Sequence, residues 1–193
     1  MKKVFNLIVA FILLHASAGA QGLMFDYVIP QGNIESGYAA RVNMFFDLNP
    51  NLEVGLVGRL ASLEVQASED EGRWSGVKTL QEYSIGVGAR YYFAGDIFAD
   101  HRAYVMPTIE ANTMWKDDGM DVGLGIGYVY QLTPVVQLMA EVGARQKLLH
   151  YRTPYTRNNR FIPHAGIGVG FGLFGGNLRS LMNVAPSRSY TRK

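Results

Sequence analysis

The chain contains no cysteine. A disulfide framework, a thiolate metal site and a cysteine nucleophile are therefore excluded. Spanning helices are missing too: beyond residue 20 no apolar run approaches the ~20 residues that a helix needs to cross a bilayer core. The one long apolar stretch, Val4 to Leu14, is too short to span. It follows Lys2 and Lys3 and runs into Ala16-Ser17-Ala18-Gly19-Ala20. A short basic region, an apolar core and an Ala-x-Ala ending predict a secretory signal peptide over residues 1–20, cleaved after Ala20. Nor is there an excess of charge. Of 18 basic residues Lys2 and Lys3 fall in that leader, which leaves 16 basic against 16 acidic. A neutral mature chain has no basic field with which to hold nucleic acid, and none is expected as a partner.

What is abundant is apolar, aromatic and small. Hydrophobic residues make up 48% of the chain, with 22 glycines, 11 tyrosines and 10 phenylalanines. Without spanning helices, that mixture fits a barrel better than a helical domain. The primary signal is alternation with period two. In Ser36–Asp47, Tyr38, Ala40, Val42, Met44 and Phe46 oppose Gly37, Ala39, Arg41, Asn43 and Phe45. Glu82–Phe93 sets Tyr83, Ile85, Val87, Ala89, Tyr91 and Phe93 against Glu82, Ser84, Gly86, Gly88, Arg90 and Tyr92. The same pattern recurs in Leu52–Ala61, Ala103–Asn112, Asp121–Leu132, Val135–Arg145 and Phe161–Leu173. Pro107 is a blemish, because a residue without a ladder donor normally belongs on an edge strand.

Connections between these seven segments alternate. Short turns are expected at Leu48–Asn51, Gly95–Arg102 and Thr133–Pro134, and longer polar loops at Glu64–Gln81, Thr113–Met120 and Gln146–Arg160. With short turns facing the periplasm, an eighth strand must first carry the chain outward, and Gly22–Ile29 alternates suitably. The expectation is all-β: a closed antiparallel transmembrane β-barrel of about eight strands over residues 21–174, followed by a basic periplasmic tail over 175–193.

The apolar face is expected to meet lipid. The opposite face is rich in glycine and small residues, which relieve crowding inside a narrow barrel. In water, that face would leave backbone poorly covered and the surface short of charge. Aromatics on the apolar face also cluster at strand ends, with Phe46, Tyr91, Phe93, Tyr128, Tyr130 and Phe171 at one level and Tyr38, Tyr83 and Phe161 at the other. Two aromatic girdles with aliphatics between them match the depth profile of a bilayer.

Near the end of the last strand His164 is followed by Gly166, Val169 and Phe171. With the alternation, this spacing resembles the small eight-stranded outer-membrane barrels of Gram-negative bacteria: the OmpA transmembrane domain and the OmpX-like and OmpW-like proteins. The resemblance implies that these four residues form an assembly signal read by the outer-membrane assembly machinery. Here about twenty residues follow the final aromatic, where such proteins often end on it.

Seven charged residues are expected in the lumen: Arg41, Glu53, Arg59, Arg90, Glu110, Glu141 and Arg145. Unpaired buried charge costs several kcal/mol, so they should pair. A plug of interlocked ion pairs is favoured over a polar pathway, because side chains can fill a barrel of this size. Recognition is expected on the external loops, at Trp74, Trp115, His150, Tyr151, Arg152 and Tyr155, toward an extracellular protein or glycan. Outer-membrane lipid and lipopolysaccharide are the other expected partners.

Catalysis needs a nucleophile beside a base, and the histidines give little purchase. His101 falls in a periplasmic turn, and His150 has no acid that spacing can identify. Two residues beyond His164 stands Gly166, where the lipid A deacylase pattern requires a serine. No metal spacing is present and no cofactor is expected. Gly123-x-Gly125-x-Gly127 lies within a strand, out of context for a phosphate cradle. The leading expectation is thus a non-enzymatic barrel for surface recognition or envelope integrity. A narrow conduit for small or apolar solutes and an outer-leaflet lipid A-modifying enzyme rank behind it.

Overall fold

A computed structural model describes residues 20–66, 76–95, 99–114, 117–133, 135–148 and 161–172. Eight strands follow one another: β1 (Ala20–Val28), β2 (Ile34–Asn49), β3 (Leu52–Gln66), β4 (Val77–Ala94), β5 (His101–Met114), β6 (Asp117–Gln131), β7 (Val136–Lys147) and β8 (Phe161–Gly172). Each pairs antiparallel with the next, and β1 pairs with β8 from Ala20↔Gly172 to Val28↔His164. The sheet closes, so none of these eight strands is left as an edge. The expected eight-stranded barrel is the observed one, and Gly22–Ile29 supplies most of its first strand.

Alternation decides which way each side chain faces. On the outside, large apolar side chains stand exposed from every strand, among them Phe25, Tyr38, Leu60, Ile85, Ile109, Ile126, Val142 and Ile167, the last 71% exposed. A continuous apolar exterior of this extent is unfavourable in water and favourable in hydrocarbon. The connections between β2 and β3, β4 and β5, and β6 and β7 lie at one end with both ends of the barrel sequence. That end is periplasmic by the usual arrangement of such barrels.

Three segments differ from the sequence expectation, all toward the outer end. β3 runs to Gln66 and β4 starts at Val77, so ladder replaces much of the polar segment Glu64–Gln81. β5 and β6 pair to Met114↔Asp117, where a loop Thr113–Met120 was expected. β7 continues to Lys147. Ladder hydrogen bonding continues past the hydrocarbon, where side chains no longer need to be apolar and the alternation fades. At the periplasmic end His101 opens β5 rather than sitting in a turn.

Pro107 does not make β5 an edge. It sits opposite Leu124 of β6, while the pairing with β4 steps from Gly88↔Thr108 to Tyr91↔Val105 across it. The missing N–H therefore interrupts the ladder on one side only.

Inside, two apolar clusters bracket a charged middle. Toward the outer end lie Val28, Ile34, Ala39, Ala61, Leu63, Val65, Leu80 and Ile162. Toward the periplasmic end lie Met24, Phe45, Val57, Tyr92, Tyr104, Met106, Val129 and Met139.

Candidate functional site

The charged lumen is assembled from seven strands. Alternation aims Asp26, Arg41, Glu53, Arg59, Glu82, Arg90, Arg102, Glu110, Asp121, Glu141, Arg145 and Lys147 inward, and all twelve are buried. Six are cations and six are anions, so among the described residues the lumen charge balances.

The longest chain of contacts starts at Glu141. Arg41 donates to it at 2.6 Å and Tyr104 at 2.8 Å, while His164 Nε2 lies 3.6 Å away. Arg41 also reaches Asp26 at 3.2 Å, and Asp26 meets Arg59 at 3.5 Å. Arg59 then donates to Glu110 at 3.2 Å, which accepts from Ser84 at 2.6 Å and Thr108 at 3.3 Å. Five strands are tied together by this path before its hydroxyl donors are counted.

A second group lies toward the outer end, where Arg145 bridges Glu82 and Asp121 and Lys147 adds a 3.5 Å contact to Glu82. A third lies toward the periplasm. Glu53 accepts from Arg90 and from the Tyr92 hydroxyl, each at 2.9 Å. The Arg90 guanidinium stacks 4.4 Å from the Phe45 ring and 4.7 Å from that of Tyr104. Such contacts suit a desolvated guanidinium, whose planar face is weakly hydrated. Below it Arg102 hydrogen-bonds Gln137 and stacks 5.3 Å from Tyr92.

All seven charged residues picked out from the sequence lie in these three groups. Arg41, Arg59, Glu110 and Glu141 share the longest path, Glu53 pairs with Arg90, and Arg145 joins the outer group. Five further buried charges join them, Asp26, Glu82, Arg102, Asp121 and Lys147. Asp26 and Glu82 sit on the inward phase of their strands, so alternation alone was a sufficient signal for them. Asp121 and Lys147 lie near strand ends where the apolar pattern stops, and Arg102 falls at the end of the expected turn Gly95–Arg102.

Of the candidate assembly residues, His164 and Gly166 face the lumen, while Val169 and Phe171 face outward and stand exposed. Gly166 has a local steric reason: a Cβ there would stand 2.1 Å from Asp26 Oδ1. His101 is exposed at the periplasmic rim, its Nδ1 2.6 Å from the Tyr128 hydroxyl and its ring 5.0 Å from that of Tyr130. His164 Nε2 stands 3.6 Å from the Glu141 carboxylate, an acceptor already engaged by Arg41 and Tyr104. Among the described residues no group of three or more His, Asp or Glu is placed to hold a metal. Trp74, Trp115, His150, Tyr151, Arg152 and Tyr155 lie outside the described residues, as do the leader up to residue 19 and the tail.

Neither a family model nor a curated protein matches the sequence. Solved structures do match the fold. Neisserial surface protein A aligns with a TM-score of 0.52 at 16% identity, covering 79% of this chain and 95% of that one. The outer membrane protein OprG from Pseudomonas aeruginosa aligns with a TM-score of 0.51 at 12% identity, covering 80% and 95%. Closed topology, lipid-ready exterior and these similarities define the class: the chain has the fold of the small eight-stranded outer-membrane β-barrels.

Proposed function

We propose that this is a closed, non-enzymatic barrel that serves surface recognition or envelope integrity through its extracellular ends. The observation that supports this reading is the filling of the lumen, with three groups of matched ion pairs along its length and an apolar cluster toward each end. Water and ions crossing such an interior would have to separate charges that are expensive to leave unpaired. With the interior occupied, the parts free to meet a partner are the extracellular hairpins and the outer wall.

The test is conductance. The mature protein is refolded, checked for a mobility shift on boiling, and inserted into planar bilayers. A folded barrel that stays electrically silent supports the reading. Reproducible unitary steps from the same preparation would replace it with that of a narrow conduit.

A further inference from the structure

The outer wall is not uniformly convex. A groove of about 510 Å³ runs from β8 across β1, β2 and β3 to Gln81 of β4 on the lipid-facing side. Small side chains make its floor. Ala40 is flanked in the ladder by Phe25 and Leu60, and Ser62, one row further out, by Tyr38 and Gln81. Ile167, opposite Phe25, closes the far wall. One row deeper, Gly58 offers no side chain, and a methyl there would meet nothing within 4 Å.

The depth of the groove is set by its neighbours. Tyr38 belongs to the outer aromatic girdle, and two residues beyond Ser62 stands Glu64, hydrogen-bonded to Ser36 at 2.6 Å. The polar surface begins there. Below, Phe25, Leu60 and Ile167 are apolar and exposed. The groove therefore starts at headgroup level, with Ser62 and Gln81 at its mouth, and descends into the outer leaflet. It is continuous with the belt that already faces lipid.

We propose that this groove seats one acyl chain of lipid A, with the ester or amide linkage of that chain level with Ser62 and Gln81. Position and polarity select this occupant. The outer leaflet of this membrane is built of lipopolysaccharide. A hydroxyl and a carboxamide suit a carbonyl linkage, and the carboxylate of Glu64 has the wrong sign for a phosphate. Recognition is confined to the chain and its linkage. The proposal rests on the membrane assignment and not on whether the lumen conducts.

The test uses photocrosslinking in asymmetric vesicles. Lipid A bearing a diazirine on one acyl chain labels the folded barrel, in parallel with a phosphatidylethanolamine bearing the same group. The lipid A probe should label Ala40, Leu60 and Ile167 severalfold more than Ile109 and Leu124, which face outward from β5 and β6 on the opposite wall. Ala40→Trp, which fills the floor, should abolish that enrichment while leaving the mobility shift on boiling intact. Uniform labelling around the barrel would overturn the proposal even if the variant fails to fold. So would equal enrichment by the phosphatidylethanolamine probe, or barrel-to-barrel crosslinks at the groove, which would make a second copy the occupant.

Discussion

Arg41 on β2 reaches across the lumen to Glu141 on β7, Nη1 to Oε1 2.6 Å, bridging strands that are not neighbours in the ladder. Hydrogen bonds between adjacent strands fix the wall, whereas this pair braces it from within. Both partners are buried, so each depends on the other for its charge.

Removing one partner should cost more than removing both. Arg41→Met leaves Glu141 with Tyr104 and His164 but without its cation, and a cost of about 3–5 kcal/mol is expected from stranding a buried charge. The double variant Arg41→Met with Glu141→Leu removes that debt and should recover much of the loss. Equilibrium unfolding in urea, followed by tryptophan fluorescence in vesicles, measures both. Strict additivity of the single variants would show that the two side chains do not brace each other.

Gly166 separates two readings of the last strand. If it acts only as part of a recognition signal, its replacement should matter only where the assembly machinery is present. The geometry predicts a second effect, because a Cβ at this position collides with Asp26 across the β1–β8 seam. Gly166→Ala should therefore slow spontaneous refolding into detergent and cost about 1–3 kcal/mol, the usual scale of overpacking. Gly166→Val, whose side chain reaches further toward Asp26, should refold more slowly still. Wild-type refolding of Gly166→Ala in the absence of any machinery would dismiss the steric account.

Much of this was legible from alternation. Period two placed all eight strands and the lipid-facing phase, since a one-residue slip would turn every exterior apolar residue inward. Strand ends were not legible at the outer rim. Asp117 pairs with Met114, and Lys147 pairs with Asp121, in ladder that has left the hydrocarbon and no longer needs apolar side chains. The partners of each lumen charge were likewise hidden. Arg41 and Arg59 are opposite one another in the ladder, and only the three-dimensional closure brings Asp26 between them and Glu141 within reach. Tyr104 shows a further limit. Its place on the inward phase was readable, but not its role as a donor to Glu141 and a face for Arg90.

Tyr104 should contribute more by volume than by its hydroxyl. Tyr104→Phe removes one hydrogen bond to Glu141, which Arg41 still engages, and about 1 kcal/mol is expected. Tyr104→Ala removes the ring on which Arg90 stacks and opens space against Gly127, so about 3–5 kcal/mol is expected. Urea unfolding of the two variants side by side tests the ranking. Equal losses would mean that the hydroxyl dominates and that the apolar cluster contributes little to filling the barrel.

The wall itself can be read with arginine along β6 and just past its end, where Leu124 and Ile126 point outward and Leu132 follows the last residue of the strand, all three exposed. Leu124 and Ile126 lie between the girdles, while Leu132 lies past Tyr130 at the periplasmic rim. Leu124→Arg and Ile126→Arg should each cost about 2–4 kcal/mol in a bilayer, and Leu132→Arg about 0–1 kcal/mol, because the penalty falls toward the interface. The contrast depends on the solvent outside the wall and not on packing inside it, since none of the three touches the lumen face. In a barrel surrounded by water all three substitutions would be neutral or favourable. A flat profile across the three positions, measured in vesicles, would therefore remove the bilayer from around the barrel while leaving the eight-stranded fold in place.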